Sequence, residues 1–75
     1  MKIITYRGIK PVENDTEYCF FDNRNHRYYL FISPYINGKY HYYITKDYEK
    51  GNVVMEDDNV DLLEIKKVVK QIENS

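Results

Sequence analysis

The dipeptide Asn37-Gly38 lies between two runs of aromatic and β-branched residues, and it limits the fold of this chain more than any other feature. A type I′ turn needs positive φ at both central residues, which Asn followed by Gly tolerates well. The dipeptide therefore predicts a two-residue loop between a strand that ends near Tyr35 and one that begins near Tyr40. With that loop, residues whose numbers add up to 75 lie opposite each other.

Four stretches, one of them the strand that leads into this loop, have the residues that strands prefer. They are rich in aromatic and β-branched residues and are bounded by Gly, Pro, Asn or Asp. Strands are predicted over residues 2–7, 16–22, 27–33 and 53–55. A polar four-residue turn over 23–26 joins two of them as a hairpin, and the simplest register places Phe20 opposite Tyr29.

From about Asp58 the spacing of apolar residues changes from two to 3.6, which predicts an amphipathic helix with Asp58 as its N-cap. We therefore expect an α+β fold: an antiparallel β-meander of four to five strands with one C-terminal amphipathic helix packed on one face. At 75 residues the chain is expected to form a single domain, residues 1–75. The apolar stripe of the helix consists of Leu62, Ile65, Val68, Val69 and Ile72.

Most of the nine tyrosines belong to the predicted sheet, and the two hairpin registers assign them to faces. The helix is expected on the more aliphatic face, which leaves an aromatic face uncovered. A slip of one residue in either hairpin would exchange the two faces. The predicted aromatic face contains Tyr18, Phe20, Tyr29, Phe31, Tyr35, Tyr40 and Tyr42, and the predicted helix face contains Cys19, Phe21, Tyr28, Leu30, Ile32, His41 and Tyr43.

An uncovered, contiguous aromatic face is typical of a surface that binds a partner or a second copy of the chain. For any single tyrosine, ordinary packing in a strand is a sufficient explanation. For the set, we predict partner binding. The predicted partner-binding residues are Tyr18, Tyr29, Tyr35, Tyr40, Tyr42 and Lys46.

A second candidate surface is acidic. Five carboxylates fall within nine residues at the start of the predicted helix, where helix capping explains Asp58 and Asp61. A solvated face is the structural alternative to a docking role. The predicted secondary acidic patch contains Glu56, Asp57, Asp61 and Glu64.

No catalytic, metal or cofactor motif is present in the sequence, so no enzyme activity is expected. Cys19 and His41 fall on strands too far apart for a nucleophile and its base, and with His26 they match no zinc spacing. The net charge of −1 makes nucleic acid a less expected partner, and no apolar run is long enough to span a membrane. A single cysteine fits a reducing compartment, so a cytoplasmic location is expected.

These features together favour a small non-enzymatic protein-binding module, with a host or phage protein as its partner and a homodimer as a further expectation. Its size and the abundance of Tyr, Asn, Lys and Ile suggest an inhibitor from a phage or mobile element that occludes a host defence protein, of the anti-CRISPR or anti-restriction type. One alternative is a nucleotide-sequestering small-ligand binder. The other is a single-stranded nucleic-acid binder that stacks bases on Tyr29, Tyr40 and Tyr42 and holds phosphates with Arg27, Lys39 and Lys46.

Overall fold

The computed structural model describes all 75 residues and shows a five-stranded sheet with the strand order β1-β2-β3-β4-β5. Strands β2 to β5 are antiparallel to their neighbours, whereas β1 runs parallel to β2. One helix, α1, follows the last strand, so the predicted α+β fold is confirmed with a mostly antiparallel sheet. The elements are β1 Lys2–Ile3, β2 Thr16–Phe21, β3 Arg27–Pro34, β4 Tyr40–Lys46, β5 Asn52–Val60 and α1 Leu62–Glu73.

The N-terminal segment differs from the predicted strand over residues 2–7. Only Lys2–Ile3 is extended, and a short 3₁₀ turn over Tyr6–Gly8 follows. Because β1 is parallel to β2, the chain has to cross the sheet between them. On this path Ile4 and Ile9 are buried in the same cluster as the helix residues, so the crossing segment lies beside α1 and shares its core.

The helix begins later than predicted. Strand β5 continues through Asp58 to Val60, which is paired with Tyr40. Asn59 adopts a left-handed conformation with a φ of 57°. Asn tolerates that conformation better than most residues. Asp61 rather than Asp58 therefore occupies the N-cap position. The apolar stripe is as predicted, with Ile65 and Val69 fully buried and Leu62, Val68 and Ile72 partly buried. No helix in the structure combines the length and the apolar character that crossing a membrane would require.

The β3–β4 turn confirms the predicted backbone conformation but not the predicted register. Asn37 and Gly38 both have positive φ, at 58° and 72°, and the Lys39 amide donates to the Ile36 carbonyl over 3.1 Å. The Tyr35 amide also donates to the Lys39 carbonyl, over 2.9 Å. Lys39 therefore pairs with two successive residues, Tyr35 and Ile36. The loop has three residues, Ile36–Gly38, instead of two, so β3 ends one residue earlier relative to β4 than predicted.

The β2–β3 turn shows the same one-residue difference. Asn25 has a φ of 66° and donates its amide to the Asp22 carbonyl, while the Asp22 amide donates to the His26 carbonyl. This is a three-residue loop with a left-handed third residue, a common hairpin connection. Phe20 lies opposite Tyr28 and not opposite Tyr29, so the predicted four-residue turn was wrong by one residue.

The observed registers place the most apolar residues of three strands beneath the helix. Leu30 lies opposite Ile44 and Ile32 lies opposite Tyr42. We call this side the covered face. Its residues include Tyr18, Phe20, Tyr28, Leu30, Ile32, Tyr42 and Ile44, all of them buried. The other side is the open face, and on β2, β3 and β4 it carries Glu17, Cys19, Phe21, Arg27, Tyr29, Phe31, Ser33, His41, Tyr43 and Thr45.

The predicted uncovered aromatic face was therefore wrong as a set. Tyr18, Tyr40 and Tyr42 lie on the covered face, and Tyr42 is only 1% exposed. Burial of aliphatic side chains contributes roughly 1.5 to 3 kcal/mol for each large residue, which outweighs the preference for one hairpin loop over another. The register that gathers Leu30, Ile32 and Ile44 under α1 is the one that the chain adopts.

Candidate functional site

Two aromatic rings form the centre of the accessible part of the open face. Phe31 of β3 lies opposite Tyr43 of β4, and their rings stack with centroids 4.6 Å apart and planes 16° from parallel. This separation matches the spacing of neighbouring strands. The two rings therefore stand side by side, and each covers one face of the other while its outer face remains free of that contact.

Carboxylates border this aromatic pair on both sides. Glu17 of β2 is paired with Phe31, and Glu56 of β5 is paired with Tyr43. The four residues form one row across four strands, with a negative charge at each end. Residues opposite each other on adjacent strands have side chains close enough to act on the same bound group.

The row borders a shallow depression of about 260 Å³. Asp15 and His41 line it together with Glu17, Phe31 and Tyr43. The His41 ring lies 6.3 Å from that of Tyr43, and its Nδ1 contacts the carboxylate of Asp58 on β5. We name this surface the acidic aromatic site. Its residues are Asp15, Glu17, Phe31, His41, Tyr43, Glu56 and Asp58.

Part of the open face is covered by the chain itself. The loop after β4 folds back over it, and the Thr45 hydroxyl donates to the Tyr48 carbonyl over 2.8 Å. Cys19, Tyr29 and Thr45 are consequently buried. Burial raises the pKa of the Cys19 thiol, and this outweighs the opposing effect of the nearby Arg27. The cysteine is thus a core residue, and Phe31 and Tyr43 form the accessible aromatic pair of the open face.

Asp22 organises the β2–β3 turn next to the closed region. Its Oδ1 accepts the amides of Arg24 and His26, each over 2.9 Å, and its Oδ2 accepts the Tyr28 hydroxyl over 3.2 Å. Desolvation alone would raise the pKa of this carboxyl, but the two backbone hydrogen bonds and that of Tyr28 hold it below its usual value. Asp22 therefore has a structural role, which its position at a strand end did not reveal.

The predicted partner-binding residues are not brought together. Tyr18, Tyr40 and Tyr42 belong to the covered face, and Tyr29 is buried on the opposite side, where it lies opposite Thr45. Tyr35 is half exposed next to the β3–β4 turn. Burial raises the pKa of the Tyr42 phenol, with further contributions from the charges of Asp57 and Glu64.

The residues predicted to bind single-stranded nucleic acid are also separated. Lys46 lies on the side of the covered face, with its ammonium 5.8 Å from the centroid of the Tyr28 ring. Lys39 pairs with Asp61, with Nζ and Oδ1 2.5 Å apart. Arg27 is on the other side of the sheet, over the ring of Phe21. No stacking platform of the predicted composition is assembled.

The predicted acidic patch is divided as well. Glu56 faces the same side as Tyr43, whereas Asp57 is paired with Tyr42 on the covered side. The charge of Glu64, on α1, helps to raise the pKa of Tyr42. Asp61 forms an ion pair with Lys39. Of the four predicted carboxylates, Glu56 belongs to the acidic aromatic site.

Sequence reasoning did not assign Asp15, Glu17, His41 or Tyr43 to a partner-binding site. The sequence does contain a signal for them. Aligning Leu30 and Ile32 with Ile44 and Tyr42, instead of starting from an ideal two-residue loop, places His41 and Tyr43 on the same side as Phe31. A one-residue shift in the β2–β3 hairpin places Glu17 there as well.

The side chains of the structure include no group of three or more His, Cys, Asp or Glu residues arranged to hold a metal ion. Comparison with models of protein families, with curated proteins and with solved structures gave no match. A function for this chain is therefore inferred from the acidic aromatic site.

Proposed function

We propose that this protein is a small binding module that docks on a basic segment of a protein partner through the acidic aromatic site and acts by occlusion. The row formed by Glu17, Phe31, Tyr43 and Glu56 supports this proposal most strongly. It offers two aromatic rings with a carboxylate beside each.

An arginine side chain matches this combination. The planar guanidinium stacks on an aromatic face and donates two hydrogen bonds to a carboxylate in the same plane. Cation–π contacts contribute about 0.5 to 1 kcal/mol at an exposed site and about 2 kcal/mol where water is displaced. The two ends of the row provide two such positions, one beside Phe31 and one beside Tyr43.

The charges around the rings favour a cation and oppose a phosphate. Asp15 lines the depression and Asp58 lies next to His41, in addition to the two carboxylates of the row. No lysine or arginine lines the depression. Binding to nucleic acid depends on basic side chains that neutralise phosphates, so this site fits a protein better than it fits DNA or RNA.

Proteins that handle nucleic acids present the basic surfaces that such a site would block. We therefore propose a nucleic-acid-binding protein as the class of partner, and retain the proposal that the chain is an inhibitor from a phage or mobile element that acts on a host defence protein. The small size of the domain and its acidic site support occlusion as the mechanism.

The experiment is a titration of the ¹⁵N-labelled protein with two peptides of equal length, one rich in Arg and one in which Gln replaces each Arg. An oligothymidine is the third probe. We expect the Arg peptide to shift the amides of Glu17, Phe31, Tyr43 and Glu56 and to bind more weakly as salt increases. The Gln peptide and the oligothymidine should leave them unchanged.

Two variants make the test specific to the site. Tyr43→Ala, combined with Glu56→Gln, should weaken binding of the Arg peptide by about tenfold or more, which corresponds to about 1.4 kcal/mol. Tyr35→Ala is the matched control, because Tyr35 is exposed outside the site. Equal weakening by both, or binding of the oligothymidine at these amides, would show that the proposed function is wrong.

A further inference from the structure

Strand β5 forms one edge of the sheet and is its longest strand, with nine residues. The opposite edge, β1, has two. All of β5 is exposed except for Val60, and it includes the exposed apolar residues Val53, Val54 and Met55. Natural edge strands are commonly protected by lysine or proline, and β5 contains neither.

The hydrogen-bond pattern of the sheet indicates which peptide groups of β5 are free. Tyr35 is hydrogen bonded to Lys39, so on β4 the odd-numbered residues turn their peptide groups toward β3. The even-numbered residues then turn theirs toward β5, where Ile44 is paired with Met55. By the same alternation the peptide groups of Glu56 point away from β4, toward the open edge.

The regular part of this edge is short. The β4–β5 register shifts between Ile44 and Thr45 and again between Tyr40 and Tyr42, so the ladder is regular over Met55 to Asp57. Bulges at both ends weaken pairing along the full length of the strand. A second strand would therefore pair over a short stretch that includes Met55 to Asp57.

The charges of β5 distinguish between the registers open to a second copy of the chain. If two β5 strands pair antiparallel around a two-fold axis at Glu56, the two Glu56 residues lie opposite each other. A two-fold axis at Asp57 would place Glu56 opposite Asp58 of the second copy. Like charges in directly opposite positions are destabilising. An axis at Met55 instead places Glu56 opposite Val54 of the second copy, with no facing carboxylates.

We propose that this edge is a homodimer interface, in which β5 pairs antiparallel with β5 of a second copy around a two-fold axis at Met55. The pairing gives the free peptide groups of Glu56 partners and covers Val54 and Met55. It closes after two copies, because each chain uses its single long edge. Both open faces then lie on the same side of a ten-stranded sheet, so the dimer presents two acidic aromatic sites.

The first test is the mass of the protein in solution between micromolar and millimolar concentration. We expect the mass to increase from 9.1 kDa to twice that value and then remain constant. Met55→Glu places two like charges at the axis and should weaken dimerisation by about tenfold or more. Leu63→Glu is the matched control, since Leu63 is an exposed apolar residue on α1, and it should leave dimerisation unchanged.

Mild oxidation of Met55→Cys tests the register. At this axis the two introduced cysteines form a pair that is not hydrogen bonded, with Cα atoms about 4.5 Å apart, which suits a disulfide. Val53→Cys would place its sulfurs four positions apart along the strands, about 13 Å, so it should not cross-link. A constant mass of 9.1 kDa, assembly beyond a dimer or equal cross-linking at both positions would overturn the proposal.

Discussion

The covered and open faces of this sheet contain the same kinds of residue in opposite environments. Tyr42 and Tyr43 are neighbours in the chain, but Tyr42 is 1% exposed beneath the helix whereas Tyr43 is half-buried and stacks on Phe31. The number of tyrosines is therefore a poor guide to function. The position of each residue in its strand, odd or even, decides whether its ring stabilises the fold or remains available to a partner.

Adding a charge to each of these two tyrosines should have the largest and most unequal effects on stability. Tyr42→Asp would bury a carboxylate among apolar side chains and near Asp57 and Glu64, and should cost at least about 4 kcal/mol. A chain of this length has a total stability of roughly 4 to 11 kcal/mol, so we expect this variant to be largely unfolded. Circular dichroism with urea titration measures the effect.

Tyr43→Asp is the matched variant for the open face. It should remain folded and lose roughly 1 to 2 kcal/mol, mainly from the contact with Phe31. If the two substitutions cost the same, or if Tyr43→Asp alone unfolds the protein, the assignment of the faces is wrong.

Two residues of the helix, two positions apart, differ in the same way. Ile65 is fully buried against the sheet, while Leu63 is 63% exposed. Ile65→Ala should lower the free energy of unfolding by about 2 to 4 kcal/mol, because it leaves a cavity. Leu63→Ala should change it by less than about 0.5 kcal/mol. Similar losses in urea titrations of the two variants would contradict the packing of α1 on the covered face.

The smallest expected effect is a dependence of stability on alkaline pH. Burial raises the pKa of Tyr28 and Tyr42 above the ordinary value of 10.0. The unfolded chain therefore releases these protons at a lower pH than the folded chain, and the free energy of unfolding should fall as the pH increases through and above 10. Urea midpoints at several pH values measure this decline.

Tyr42→Phe removes one of the two phenols with a raised pKa. The free energy of unfolding of this variant should therefore decline less steeply with pH than that of the wild-type protein. Tyr35→Phe is the control, because Tyr35 is exposed next to the β3–β4 turn. An equal slope for Tyr42→Phe and the wild-type protein would show that the Tyr42 phenol is not buried in the way described.

Most of the fold could be predicted because local signals agree with it. The helix stripe, the strands and the left-handed Asn37-Gly38 turn all depend on short-range patterns. The parallel pairing of β1 could not be read in the same way, because it depends on where Ile4 and Ile9 find apolar partners across the sheet.

The site was predicted less well for a single physical reason. The period of a strand is two, so one additional loop residue, Ile36, exchanges the two faces of β4 relative to β3. The turn dipeptide specifies its own dihedral angles but not how the preceding residues pair. The match between Leu30 and Ile44 specifies that pairing, and a pattern of apolar residues across strands is needed to find it.

The register of β3 against β4 determines which tyrosines are buried, and contacts between Hα protons in the nuclear Overhauser spectrum report on it. Pairs that are not hydrogen bonded bring their Cα atoms to about 4.5 Å, so their Hα protons are close. We expect strong cross-peaks for Leu30 with Ile44 and for Ile32 with Tyr42. Cross-peaks for Phe31 with Ile44 and for Ser33 with Tyr42 would contradict this account, because they would place Tyr42 on the open face.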